Sequence, residues 1–431
     1  MACIQLLLKT LAQKPLSYEE KIRWLVRNEE VKSYFRIADD GIEMFASLDD
    51  KKVGKIECKV YHDEIDDFLA ILKRLPEDSL ESFYRQKGTE KLKKIRENWE
   101  KTLLPSKTIG ISKNARRLEN IRIALDPGHV GGDMKTAILE GRYVIMAFPN
   151  GDTVQFNEGN LNLATAYLLK EKLEKEGANV MITKYKKGHS AFDKSYDDWL
   201  KEDFLRSLEE ERAKNNIDAA LYQTLKTTQD KAYIYERFFK YLDFRERARK
   251  INAFQPHLTI VIHYNIDAPN WERRNGNVYQ PSGINYSMVF LPGSFMKKEL
   301  QETRDRLEFL RLLLSDDLQA SLALCQRVQK RFVEDLNVPP VANDERLNYL
   351  KRGCIYTGIP GIYARNLALT RLVHSPLCYG ETLCQDDEQE ARWLAIEEIP
   401  AGELKTSPRV AQTAEAYFNA ILDYVEHFHP R

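Results

Sequence analysis

No two of the six cysteines (Cys3, Cys58, Cys325, Cys354, Cys378 and Cys384) form a Cys-x-x-Cys pair. A thiolate zinc site or dithiol redox motif is therefore unsupported. Six scattered thiols in 431 residues do not make a disulfide framework either. Net charge is also missing: 65 basic side chains stand against 65 acidic ones. That removes the electrostatic case for nucleic acid as a main partner, and the basic run Lys91 to Arg96 reads as the solvated face of an amphipathic helix. No apolar run reaches the roughly 18 to 20 residues of a membrane helix, so no membrane span is expected. The first residues carry a short apolar patch with no basic segment before it, a poor secretory signal. Cys3 there reads as a helix residue rather than a lipid acceptor. No repeat of 20 to 50 residues is visible.

What is present fits a globular chain of two or three domains: 43% hydrophobic and 30% charged residues over a length that can bury real cores. Residues 1–118 read as a small α+β accessory domain of unknown role. A helix is expected from Tyr18 to about Phe35, then a hairpin over 34–45 turning at Asp39-Asp40-Gly41. A strand over 55–61 and helices over 63–74 and 78–103 follow. Residues 104–115 are a plausible linker.

Beyond the linker the pattern alternates strand and helix, which predicts a mixed, mostly parallel twisted sheet flanked by helices over 119–431. Ile121, Ile123 and Leu125 alternate, then Asp126-Pro-Gly128 stops the strand and leaves His129 at its carboxyl end. A hairpin with an Asn150-Gly151 turn spans 143–156. It delivers Asn157-Glu158, which opens a helix ending at Gly177. The β-branched run Leu258 to Ile262 ends at His263. The last strand, from Pro376, ends at Glu381. Charged helical insertions are expected at about 185–242 and 294–318.

Four groups thus stand at four element ends: His129, Glu158, His263 and Glu381. Parallel strands bring their carboxyl ends to one edge. Two imidazoles and one carboxylate are a ligand set for a catalytic zinc that keeps one position for water. A second carboxylate is then needed to move the water's proton to the leaving group, and Glu381 is the candidate.

The segments Asp126-Pro-Gly-His129, Asn157-Glu158-Gly-Asn-Leu-Asn-Leu163, Ile262-His263-Tyr-Asn265 and Pro376-Leu-Cys-Tyr-Gly-Glu381 resemble, in order and context, the zinc-dependent N-acetylmuramoyl-L-alanine amidases, the bacterial cell-wall amidases of the AmiA/AmiC type. The resemblance spans about 119–400. It implies one Zn2+ held by His129, Glu158 and His263, with Glu381 as base and then acid, and cleavage of the amide between N-acetylmuramic acid and L-alanine of the peptidoglycan stem. It also implies a periplasmic or otherwise extracytoplasmic place of work, in cell-wall turnover or division, with a leader outside this sequence. Asp126 and Asn265 become candidates to orient ligands, and Arg365 and Asn366 to meet a peptide carboxylate.

The sequence departs from the family pattern at four points. Val130 replaces the usual Gly after the first His, and Gly159 the Lys or Arg after the ligand Glu. Lys184 replaces an Arg, and a hairpin is added between His129 and Glu158. In some of these amidases a helix covers the zinc until a partner withdraws it. Residues 295–314, with Glu299, Glu302 and Glu308, occupy that place, so an activator acting on this helix is the partner to test. The alternatives are a zinc carboxypeptidase or other N-acyl amino acid amidohydrolase on the same scaffold, or an inert wall-binding or regulatory protein.

Overall fold

The computed structural model describes residues 16–106, 117–267, 269–270, 278–341 and 347–428. Most of the expected 104–115 linker, and Cys3, lie outside them. In the N-terminal part, Tyr18–Leu25 (α1) starts on a Ser17 capping box and ends at Val26, short of the expected Phe35. A short 3-10 turn then leads into the hairpin Phe35–Ala38 (β1) and Gly41–Met44 (β2), and Cys58–Tyr61 (β3) completes a three-stranded sheet. After Ile65–Leu72 (α2), the helix expected over 78–103 is two: Leu80–Lys87 (α3) and Leu92–Glu100 (α4). Gly88 separates them at φ 40°, a conformation that L side chains avoid.

The central sheet has seven strands. Arg122–Pro127 (β4), Asn179–Ile182 (β7), Leu258–Asn265 (β8) and Leu377–Cys384 (β12) run parallel as neighbours, in the order β12-β8-β4-β7. Met288–Pro292 (β9) pairs antiparallel with β12, Ile362–Arg365 (β11) parallel with β9, and Cys354–Tyr356 (β10) antiparallel with β11. Tyr143–Ala147 (β5) and Thr153–Asn157 (β6) form the separate hairpin expected before Glu158. The unread helix Met134–Glu140 (α5) precedes it.

Period-two alternation splits the strands between two faces. Ile123, Leu125, Ile260, Ile262 and Cys378 enter the main core, under Glu158–Lys175 (α6), Asp317–Leu336 (α12) and Pro408–Phe428 (α13). Ala124, Val261 and Leu377 turn to the other face, against Ala248 and Ile251 of Lys240–Phe254 (α10). His263 and Tyr379 share the parity of that second face. Glu381 is register-paired with His263, but β12 runs on to Cys384 past an irregularity. Glu381 is therefore within a strand, not at its end as the sequence suggested. Tyr196–Glu202 (α7), Phe204–Ala213 (α8) and Ala219–Thr227 (α9) make up much of the first insertion. They bury their own aromatic cluster around Trp199 and Phe239.

The second insertion is not a cover. Thr303–Leu314 (α11) buries every residue from Asp305 to Leu314. Phe309 packs on Phe35 at 5.0 Å and on Phe295 at 5.4 Å. Lys21 Nζ donates to the carbonyls of Leu313 (3.1 Å) and Ser315 (2.7 Å) at the end of this helix. Glu308 is fully buried between Arg304, Arg311 and His374. Of residues 295–314 only Met296 lines the cavity described below. The segment ties the N-terminal layer to the sheet, and cations pair with its buried Asp305 and Glu308.

Lys21→Ala strands two carbonyls at a buried helix end and should cost about 2 kcal/mol. Thermal unfolding should remain a single transition at lower temperature. Two resolved transitions would show that the N-terminal layer unfolds independently.

Candidate metal centre

The loop after β4 is held by the first turn of α6. Asn160 Oδ1 accepts from Gly132 N (2.9 Å), Asn160 Nδ2 donates to Gly132 O (3.0 Å), and Asn162 Nδ2 donates to Gly128 O (3.1 Å). The Asn157 side chain caps the helix by accepting from Asn160 N. Glycines make these approaches possible. A Cβ at Gly159 would lie 2.4 Å from Gly131 Cα, and one at Gly128 would lie 2.1 Å from His263 Cε1. His129 itself sits in the left-handed region at φ 60°, which turns its ring back toward the helix.

Three predicted residues are brought together. The ligand atoms of His129, Glu158 and His263 all lie within 4.8 Å of one another. Glu158 Oε1 is 3.3 Å from His129 Nε2 and 2.8 Å from His263 Nδ1. Two donors of one tetrahedral zinc with bonds of about 2.0–2.1 Å are separated by roughly 3.3 Å, so the donor set and spacing fit that ion. The imidazoles cross at 89° with centroids 4.7 Å apart, and His263 stacks on Tyr379 at 4.5 Å.

Electrostatics separates the two glutamates. Burial opposes a charge on Glu158, but His129 and His263 outweigh it and hold the carboxyl well below its usual range. Burial pushes His263 down to about 3, against the pull of Glu158, which leaves the neutral imidazole that a metal requires. Glu381 goes the other way. Burial and the nearby Glu158 push it up to about 8, with Arg365 and Arg142 opposing.

Two residues that sequence reasoning missed complete the cluster. Arg142 Nε donates to His129 Nε2 at 3.0 Å and lies 3.8 Å from Glu158 Oε2. Glu140 accepts from the backbone N–H of Val130 (3.0 Å) and Gly131 (3.0 Å) and from the Tyr235 hydroxyl, with His129 Nδ1 at 3.8 Å. Despite burial, these contacts bring it down to about 2. Both lie between His129 and the added hairpin, Glu140 at the end of α5 and Arg142 just before β5, and Tyr235 comes from the first insertion; the extra residues between two ligands were the available signal. Neither expected orienting residue hydrogen-bonds a ligand side chain among the described residues. Asp126 binds the Thr183 hydroxyl and, at 3.4 Å, Arg247. Asn265 lines the cavity with its Nδ2 unpaired among the described residues.

The cluster opens into a cavity of about 870 Å³ that also exposes Glu381, Tyr379, Tyr349, Arg365 and Asn366. No protein-family model and no curated protein matches the chain. Among solved structures, it is similar to the CwlD amidase from Clostridioides difficile in complex with the GerS lipoprotein (16% identity, 72% of this chain and 100% of that one, TM-score 0.37). It is also similar to the N-acetylmuramyl-L-alanine amidase Ami1 from Mycobacterium abscessus (14%, 72% and 100%, TM-score 0.37) and the N-acetylmuramoyl-L-alanine amidase AmiC2 of Nostoc punctiforme (14%, 72% and 99%, TM-score 0.35). Overlays this loose carry nothing for the site, whose reading rests on its own geometry.

Glu140→Ala removes the acceptor of two backbone N–H groups and a hydroxyl beside His129. Zinc affinity should fall by about 10- to 100-fold, read by chelator competition. Unchanged affinity would show that Glu140 only shapes the loop.

Proposed function

We propose that the chain is a zinc amidohydrolase that cleaves the bond between N-acetylmuramic acid and L-alanine in peptidoglycan, and so works outside the cytoplasmic membrane. The observation that carries the reaction class is the convergence of His129, Glu158 and His263 in one cavity with a second glutamate, Glu381. The choice of substrate rests on the family motifs around these four residues.

Zinc bound by the three side chains would acidify a coordinated water and polarise the amide carbonyl. The chain supplies the rest. Glu381 faces the cavity from the strand position beside His263, where it can take a proton from water and return it to the leaving amine. A carboxyl tuned near neutrality suits both halves of that transfer. Arg142 donates to the His129 lone pair that a bound metal would need, so the guanidinium would have to yield that contact for His129 to act as a ligand. It remains a cation within reach of charge developing on the carbonyl oxygen. Tyr379 backs the His263 ring and limits its rotation. Glu140 holds the loop that presents His129.

Zinc content and muropeptide products, measured for wild type and Glu381→Gln side by side, test the reading. One zinc per chain in both, free stem peptides from the wild type and a rate at least 100-fold lower in the variant are expected. A wild type without zinc would overturn the ligand set. Release of a shortened stem would give the carboxypeptidase alternative instead.

A second test uses linkage in the metal-free chain. Glu381 moves from an ordinary value of 4.5 to about 8, so between those pH values the folded state keeps a proton that the unfolded state releases. The stability that Glu381 contributes is therefore lost as pH rises through this window. Glu381→Gln should flatten that slope, as followed by denaturant midpoints from pH 5 to 8; an unchanged slope would show that Glu381 is not its source.

A further inference from the structure

Buried arginines in this fold have carboxylate partners. Arg247 pairs with Asp243 at 2.5 Å, Arg306 with Glu57 at 2.6 Å, Arg311 with Glu308 at 2.7 Å and Arg409 with Glu390 at 2.5 Å. Arg365, half-buried in the wall of the metal cavity, is different. Its guanidinium carbon lies 4.6 Å from the ring centroid of Phe290 and 4.7 Å from that of Tyr349. Among the described residues no carboxylate comes within 4.0 Å of it. Glu381 shares the cavity and feels its charge without pairing.

Two rings against a planar cation fix its position and strip it of water while leaving the donor edge free. The next residue, Asn366, uses its Oδ1 to accept from Arg371 at 2.6 Å, and its buried Nδ2 has no acceptor among the described residues. A preorganised guanidinium without a carboxylate partner in the cavity wall selects for an anionic oxygen pair, and the fork geometry of Arg matches a carboxylate. The cavity, at about 870 Å³, is large enough to hold more than the reacting amide.

We infer that Arg365, with Asn366 beside it, forms a carboxylate-binding subsite of the metal cavity, and that the substrate is a peptide amide with a free carboxylate beyond the scissile bond. The inference builds on the amidase reading and narrows it to stems whose second residue is an unamidated, γ-linked glutamate. Arg365 then positions the stem, while Glu381 moves protons.

The test separates binding from chemistry. L-alanyl-D-glutamate γ-methylamide, whose one free carboxylate is the α-carboxylate, and its α-carboxamide are titrated calorimetrically into the zinc-loaded chain, wild type and Arg365→Met, with zinc content as the check on folding. The acid should bind the wild type at least tenfold tighter than the amide, in line with a charge-assisted bidentate contact. The ratio should approach one in Arg365→Met. Arg365→Lys, which keeps charge but not the fork, should fall between, and it replaces the Met variant if that one does not hold zinc. Equal binding of acid and amide by the wild type overturns the subsite, and so does a ratio that survives in Arg365→Met. Hydrolysis of muropeptides is read separately. Acid preference without hydrolysis leaves the subsite standing and defeats the amidase reading; hydrolysis without preference does the reverse.

Discussion

A carboxylate that is only 3% exposed cannot remain ionised unaided, and Glu158 is such a group. Everything around it answers that constraint. It is the first residue of α6, where the helix dipole favours negative charge. Two imidazoles face its Oε1, the Tyr264 N–H points at the same oxygen from 3.4 Å, and Arg142 approaches its Oε2. The charge so secured acts in turn on Glu381 and raises its proton affinity. One environment therefore drives two glutamates apart, the pattern on which the proposed roles of ligand and acid–base group rest.

Holding that arrangement requires backbones to approach more closely than side chains permit, which gives the departures from the amidase pattern that the sequence resembles a physical account. Gly159 stands where a Lys or Arg is usual because its Cα faces Gly131, which leaves no room for a Cβ. Val130 stands where a Gly is usual because it is buried against the aromatic core of the first insertion. Lys184 replaces an arginine beside the buried Arg247. Burial, with Arg247 next to it, pushes the lysine down to about 7, so it can shed a charge that a second arginine would keep. Gly380 has the same kind of reason: a Cβ there would meet the Tyr417 hydroxyl at 2.1 Å.

These contrasts show what could be read from sequence. His129 and His263 were legible because each follows an apolar run of strand period, and Glu158 because a turn and a helix signal bracket it. The parallel core strands were legible for the same reason. Glu140, Arg142 and Tyr235 were not, since their meaning lies in contacts between segments far apart in the chain; Tyr235 and Glu140 are 95 residues apart. The helix over 303–314 misled in the opposite way. Its charges look like a solvated or inhibitory face, but Glu308 is neutralised in the core by His374, 66 residues on, and by arginines on its own helix. A charge pattern along a helix does not say where the countercharges are.

The mixed direction of the sheet carries the last consequence. Had β9 and β11 run with β12, the residue ending β11 would have been aligned with the metal edge, beside Glu381. They run against it instead. Arg365 is level with Pro292, and Phe290, two residues earlier, is the partner of Tyr379. The guanidinium therefore reaches the cavity from the opposite end, over the Phe290 ring, and stops short of Glu381. A contact within 4 Å would have stabilised ionised Glu381 and depressed its proton affinity below the range useful for transfer to an amine. Separation keeps the carboxyl titratable and the cation unpaired, and only an arrangement with both properties lets one group act on the amide while the other holds the substrate's charge.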